Sequence, residues 1–164
     1  MKESTWIPAY IGIGSNLNNP RLQVTGGLDA LATLSRTKVI SRSALYRSAP
    51  LGPQDQPHFV NAVAGVLTRL DAHALLRELK ELETKLGKAQ PIVHWGPRVI
   101  DFDLLVFGSE RIATSDLQVP HTGIADRAFV IVPLLDVAPY LDVPGLGPAN
   151  RLAKRFAAEN LERL

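Results

Sequence analysis

The chain has 164 residues, 46% hydrophobic and 21% charged, which fits one soluble domain with its own core and leaves little for a second. It lacks cysteine, so disulfides and thiolate metal sites are excluded, and any metal must be held by oxygen or imidazole, a usage compatible with a reducing cytoplasm. The formal charge of +2 is too small, and its basic residues too dispersed, for a nucleic-acid surface. No apolar run reaches transmembrane length, and "MKESTWIPAY" lacks the apolar core of a secretory signal, so a cytoplasmic chain with no nucleic-acid or membrane partner is expected.

In chain order, "PAYIGIGSNL" begins as a β-prone segment and runs into the turn residues Gly14, Ser15 and Asn16. Asn19 is a candidate cap and Pro20 a candidate first residue for a helix carrying Val24, Leu28, Leu31 and Leu34, ending near Ser35. "TKVISRSALYRS" reads as one strand, and "APLGPQDQPH", with three prolines, as a stiff loop long enough to suggest function. "FVNAVAGVLTRL" reads as a strand with Phe59, Asn61 and Val63 on one face and Val60, Ala62 and Ala64 on the other. Asp71 caps a helix whose leucines 75, 79, 82 and 86 form one stripe, stopped by Gly87. An irregular stretch, "KAQPIVHWGP", leads into the strand "RVIDFDLLVF", which turns on Gly108 into a short partner. A helix from about Asp126 to Val137 and a last one from Pro148 to Glu162 complete the chain. The order β, α, β, β, α, β with helical additions predicts an α+β sandwich of ferredoxin-like type, its sheet mainly antiparallel and its C-terminal addition helical.

"RVIDFDLLVF" poses the sharpest chemical question. A strand has a side-chain period of two, so Asp101 and Asp103 share a face, with Ile100, Phe102, Leu104 and Val106 on the other. Their Cα atoms stand roughly 6.5 to 7 Å apart on a regular strand, close enough to require cations, donors or water around them. One alternative is a solvated strand face; the apolar Val99, Leu105 and Phe107 favour a partly enclosed site. Two hard carboxylates suit Mg²⁺, which shares its shell with water and phosphates, and the spacing could also grip a two-metal pair. Arg98 and Lys88 add counter-charge for phosphate, which makes phosphoryl chemistry the leading idea.

Other signals are weaker. "GIGSNL" has Leu17 where a dinucleotide fingerprint needs its third glycine, and "LGKAQ" lacks the Ser or Thr of a phosphate loop. The glycines then read as a plain strand-to-helix turn. No two of the four histidines have the helical spacing used for zinc, and His121 fits a surface residue or an anion contact equally.

The blocks "YIGIGSNL", "YRSAPLGPQDQPHFVNA", "HWGPRVIDFDLL" and "VPHTGIADRAFVIVPL" resemble, in order and spacing, those of the 6-hydroxymethyl-7,8-dihydropterin pyrophosphokinases of folate biosynthesis. The resemblance runs nearly end to end and implies a single pterin pyrophosphokinase domain over residues 1–164, working as a monomer. It implies transfer of the β,γ-diphosphate of ATP to the pterin's hydroxymethyl group, with AMP released. By the same resemblance Asp101 and Asp103 hold two Mg²⁺ ions, and Arg98 and Lys88 join them in catalysis. Glu83, Trp95, Arg98, His121 and Arg127 are the expected ATP residues. Phe59 and Phe129 are expected to stack on the pterin, with Asn61, Trp95 and the backbone around Ser48 and Leu51 also lining its site.

Departures gather before the aspartate strand. Where such enzymes carry several arginines, this chain has Lys88, Gln90, Pro91 and His94, a less basic and stiffer loop. Phe59 stands where tyrosine is frequent, Thr122 where an aromatic is, and Phe102 where an aliphatic residue is. A related phosphotransferase with another acceptor, or a non-catalytic pterin- or nucleotide-binding protein, are the alternatives; an RNA-binding module would need an aromatic strand pattern that is missing.

Overall fold

The computed structural model describes residues 5–49, 55–87, 99–156 and 161–164. β1 (Ile7–Ser15) is followed by α1 (Pro20–Ala30) and a 3₁₀ turn at Leu31–Thr33. β2 (Thr37–Arg42), β3 (Tyr46–Ser48), β4 (Phe59–Thr68), α2 (Ala72–Lys85) and β5 (Asp101–Phe107) come next. Beyond them lie the short strands β6 (Ile112–Ala113) and β7 (Gln118–Val119), then α3 (Ala128–Val137). β8 (Asp142–Val143), β9 (Gly147–Pro148), α4 (Ala149–Ala153), a 3₁₀ turn at Lys154–Phe156 and β10 (Glu162–Arg163) end the chain.

The main sheet runs β10, β3, β4, β1, β5, with β2 also on β4, and every pairing is antiparallel. This is the expected α+β arrangement with the first strand central and β5 at an edge. Alternation places Ile11, Ile13, Val60, Ala62, Ala64 and Phe102 on one face, against Val24 and Leu28 of α1 and Leu75, Leu79 and Leu82 of α2. The other face carries Val63, Leu105 and Val106, covered by Val130, Ile131 and Leu134 of α3 and Ala149 of α4. Both faces are therefore roofed, except where polar residues interrupt them. Among the described residues no helix is long and apolar enough to cross a membrane.

Helix α2 forms as its pattern predicts: the Asp71 carboxylate accepts from the Ala74 N–H at 2.8 Å, and Gly87 takes a left-handed φ of 92° just past its end. Four expectations need correction. Asn19 does not cap α1 with its side chain; it sits in the left-handed region, which asparagine tolerates, and Pro20 opens the helix. That helix also ends earlier, at Ala30, and tightens into the 3₁₀ turn. The segment 37–48 is two strands, because Ser43 to Leu45 leave the ladder and their polar groups bond sideways instead. Gly108 does not turn β5 into its own partner, since β6 pairs with β7.

The last helix is the largest departure. α4 stops at Ala153, and Glu162 and Arg163 pair with Arg47 and Tyr46 on the otherwise open edge of β3. The Leu164 N–H donates to the Leu45 carbonyl at 2.8 Å, and Arg47 pairs with Glu162 at 2.9 Å. Covering a row of unpaired edge groups outweighed the weak helical pattern of this segment.

The face assignment of β5 is also corrected, by a bulge. Tyr10 pairs with Val106 and Ile11 with Leu104, so Leu105 is an extra residue and the alternation changes phase there. Phe107, not Val106, joins the face of Phe102 and Leu104, while Leu105 and Val106 turn to the side of Asp101 and Asp103.

Two adjacent glycines test how tightly α1 lies on the sheet. Gly26 is exposed with open space around its Cα, whereas a Cβ on Gly27 meets Ile100 Cδ1 at 3.0 Å and Ile13 Cγ2 and Phe102 Cζ at 3.3 Å. Gly26→Ala is expected to stabilise by about 0.5–1 kcal/mol through helix propensity. Gly27→Ala is expected to destabilise by about 1–3 kcal/mol through overpacking. Urea unfolding of both variants decides; equal effects would show that α1 has room to lift.

Candidate active site

Register assembles the site on the face that α3 shares. One row across the strands is Tyr46, Asn61, Gly14 and Asp101, and the next places Val63, Gly12 and Asp103 together. Two glycines on β1 therefore form a low floor between Asn61 on one side and the two carboxylates on the other. The close approach is real: a Cβ on Gly14 would lie 2.8 Å from Asn61 Oδ1. Any larger residue there would push the amide out of the trough.

Asn61 is buried on an apolar strand, and its Nδ2 donates to Ser48 Oγ at 2.9 Å. Ser48 faces Phe59 in the register of β3 with β4. Three of the expected pterin residues thus stand together on two neighbouring strands. A second polar link was not foreseen: Asn16 Nδ2 donates to Gln56 Oε1 at 3.0 Å and to the Pro57 carbonyl at 2.9 Å. Asn16 is nearly inaccessible, so the turn after β1 is a tether that holds the segment leading into Phe59. Buried asparagine in a turn reads from sequence as turn chemistry alone, which is why the link was missed.

Asp101 and Asp103 are partly buried near the start of β5. Burial, and next the charge of Asp101, raise the Asp103 carboxyl above the ordinary carboxylate value, while His121 and Lys80 pull it back. His121 arrives through the bulge, since its backbone N–H donates to the Leu105 carbonyl at 2.8 Å. The Gly123 N–H donates to His121 Nδ1 at 3.0 Å, so the neutral ring keeps its proton on Nε2. Burial lowers this imidazole below its usual value, Asp103 opposes that, and Arg127 adds to it. Beside His121 opens a cavity of about 460 Å³, bordered by Arg111, Gln118, Thr122, Asp126 and Leu146.

Glu83, fully buried on α2, accepts from Lys80 Nζ at 3.1 Å, and the charges of both reach Asp103 at the sheet edge. Lys80 was not anticipated. Its only signal was its place three residues before Glu83, on the same side of the helix. Arg127 precedes α3 and lies 6.0 Å from the centre of the Phe129 ring, joining an expected ATP residue to an expected pterin residue. Leu51, Lys88, Trp95 and Arg98 lie outside the described residues, as do Gln90, Pro91 and His94.

The donor set fits a hard divalent cation. Two carboxylates one residue apart crowd the same face, and burial together with the charge of Asp101 raises Asp103, an environment that favours a bound cation. Among the described residues no group of three metal-ligating side chains forms; a carboxylate pair completed by water and phosphate oxygens is the kind of shell Mg²⁺ favours.

A family model described as 7,8-dihydro-6-hydroxymethylpterin-pyrophosphokinase matches residues 10–139. A 2-amino-4-hydroxy-6-hydroxymethyldihydropteridine pyrophosphokinase of Haemophilus influenzae is 42% identical, over 96% of this chain and 98% of its own. One of Pseudomonas aeruginosa is also 42% identical, over 94% of this chain and 95% of its own. In solved structures, the wild-type HPPK-DHPS of Plasmodium falciparum with pteroate superposes with a TM-score of 0.79 at 14% identity. It covers 99% of this chain, which spans about half (48%) of that longer one, and at this identity the likeness speaks for the fold.

The strain between the carboxylates has a stability consequence. A carboxyl raised on folding costs stability above its folded-state value, and the cost fades as pH falls through that value towards about 4, where the unfolded chain also protonates. Asp103→Asn is therefore expected to raise the Tm of the ligand-free protein at pH 7 by about 2–4 °C, the displacement produced by roughly 1 kcal/mol in a chain of this size. The gap should close in melts near pH 4. A lower Tm at pH 7 would show that Asp103 is already compensated.

Proposed function

The chain belongs to the 7,8-dihydro-6-hydroxymethylpterin-pyrophosphokinase family and is an ATP-dependent pyrophosphokinase of folate biosynthesis, and from that premise we propose how its residues divide the reaction. The β,γ-diphosphate of ATP passes to the hydroxymethyl oxygen of 6-hydroxymethyl-7,8-dihydropterin. That oxygen attacks the β-phosphorus in line, the bond to the bridging oxygen of the α-phosphate breaks, and AMP leaves. The observation that carries this division is the row in which Asn61 and Asp101 face each other across Gly14.

On one side of the trough, Asn61 and Ser48 read the polar edge of the pterin, whose ring lies between Phe59 and Phe129. A buried heterocycle needs partners for its donors and acceptors, and the Asn61 amide, already oriented by Ser48, presents its oxygen over the floor. On the other side, Asp101 and Asp103 would hold two Mg²⁺ ions, which when bound would supply charge neutralisation of the phosphates and acidify the attacking hydroxyl. His121, neutral with its proton on Nε2, donates to a phosphate oxygen, and Arg127 adds a fixed positive charge. Lys88 and Arg98 complete the phosphate grip, and Glu83 and Trp95 belong to the nucleotide side. Catalysis then rests on holding the two substrates in line within a polarised trough, with no covalent enzyme intermediate.

Incubation with Mg-ATP and 6-hydroxymethyl-dihydropterin is expected to yield AMP and the pterin diphosphate; ADP, or no turnover, sinks the assignment. Asp103→Asn should lower kcat by roughly a thousandfold, in keeping with loss of a group that acts on the transition state. The less basic loop makes a separate prediction: Gln90→Arg should lower the Kd for ATP by about three- to tenfold, because arginine offers a bidentate charged fork where glutamine is neutral. An unchanged Kd in a titration would show that the missing arginine is not limiting.

A further inference from the structure

Between β2 and β3 the chain leaves the ladder at Ser43 to Leu45, and the polar groups of this break are bound to specific partners. Ser43 is stitched to β4, its N–H donating to the Val63 carbonyl at 2.8 Å and its Oγ accepting the Val63 N–H at 2.8 Å. Asp136, near the end of α3, takes the next two groups on one carboxylate oxygen, the Ala44 N–H at 3.1 Å and the Tyr46 hydroxyl at 2.7 Å. Tyr46 is buried, and burial together with Asp136 pushes its phenol up to about 12. Asp136 is the only acidic residue of α3, in an otherwise apolar sequence.

We propose that Asp136 is a positioning residue for pterin binding, acting through Tyr46 and Ala44 to set α3 against β3. Two geometric facts carry this. Phe129 and Asp136 are seven residues apart on α3, so they project from the same side of the helix, ~10 Å apart along its axis. A contact that fixes Asp136 fixes the rotation of the helix, and with it the direction of Phe129. At the other end of the contact, Tyr46 stands directly opposite Asn61 and begins the three-residue strand that ends at Ser48. One carboxylate oxygen thereby ties the helix that carries an expected stacking ring to the strand that orients Asn61. Most of the described ATP side is held elsewhere: His121 is anchored to β5 through the Leu105 carbonyl and Glu83 lies on α2, while Arg127 at the start of α3 shares the helix. The effect should therefore fall on the pterin.

The proposal rests on the pterin assignment above, and its test separates the two. Asp136→Ala, Asp136→Asn and Tyr46→Phe are compared with wild type for the KM of each substrate, kcat, Tm, and pterin affinity by fluorescence titration. Asp136→Ala and Tyr46→Phe are each expected to raise the pterin KM about tenfold, with the KM for ATP changed less than twofold. Their combination should be no worse than the more severe single change, because both remove one shared contact. Asp136→Asn, which keeps an acceptor oxygen, should recover most of the loss. A wild-type pterin KM and affinity in Asp136→Ala and Tyr46→Phe, whatever their Tm, overturns the positioning role and leaves the enzyme assignment standing. A wild-type chain that neither binds nor turns over the pterin overturns both.

Discussion

Two carboxylates that must share one face of an edge strand impose the condition around which this molecule is built. In water their repulsion would be weak, but on β5 they are partly buried and separated by a single residue, so the charge of Asp101 makes that of Asp103 harder to maintain. The fold answers by bringing charge and hydrogen-bond donors to that edge from several directions. α2 lays Lys80 and Glu83 beside it, and the segment after β7 delivers His121 and Arg127. Of these, Lys80 and His121 reduce the strain at Asp103 and Glu83 adds to it, and the Asp103 carboxyl is still raised. A site fully neutralised by its own protein would have little affinity left for cations and phosphates.

The bulge at Leu105 makes this convergence possible. A regular β5 would keep one face in phase along its whole length, placing Phe107 beside the aspartates and Val106 in the core under α1 and α2. The extra residue reverses that, so Phe107 fills the core between the sheet and those helices while Leu105 and Val106 pack beneath α3. The same residue offers its carbonyl to the His121 N–H. Core packing on both faces and the placement of a site residue thus depend on one irregularity, the kind of local departure that sheets use near functional centres.

Much of this was legible in the sequence because it follows from periodicity. The leucine stripe and Asp71 cap of α2, the alternation of β4 with Asn61 as its polar exception, and the paired aspartates all obey short-range rules. What escaped was set by partners distant in sequence. Leu105 bulges because of how β5 meets β1, Asn16 is a tether because Gln56 and Pro57 fold back upon it, and Glu162 and Arg163 extend because β3 leaves an edge to be covered. The break at Ser43 belongs to the same class, since its stabilising groups, Val63 and Asp136, lie 20 and 92 residues from the atoms they bind. No local pattern encodes such contacts, whereas the family's spacing of chemical residues survives in the sequence even where the scaffold is invisible.

The two halves of the site are held by different interactions. The half proposed for the pterin is bonded internally: Asn61 to Ser48, Asn16 to the segment before Phe59, and Tyr46 to Asp136. These contacts fix its residues, so on the proposed reading little ordering would remain to oppose ring binding. On the carboxylate side Asp103 is raised by burial and by Asp101, and on the proposed reading a cation with its attendant phosphates would relieve that repulsion. On the proposed reading, nucleotide and metal would contribute stability to the fold by binding the folded state in preference to the unfolded chain. A polar, internally bonded surface and a raised carboxylate edge thus face each other across a floor of two glycines, an arrangement that on the proposed reading would place the favourable electrostatics where the reacting groups meet.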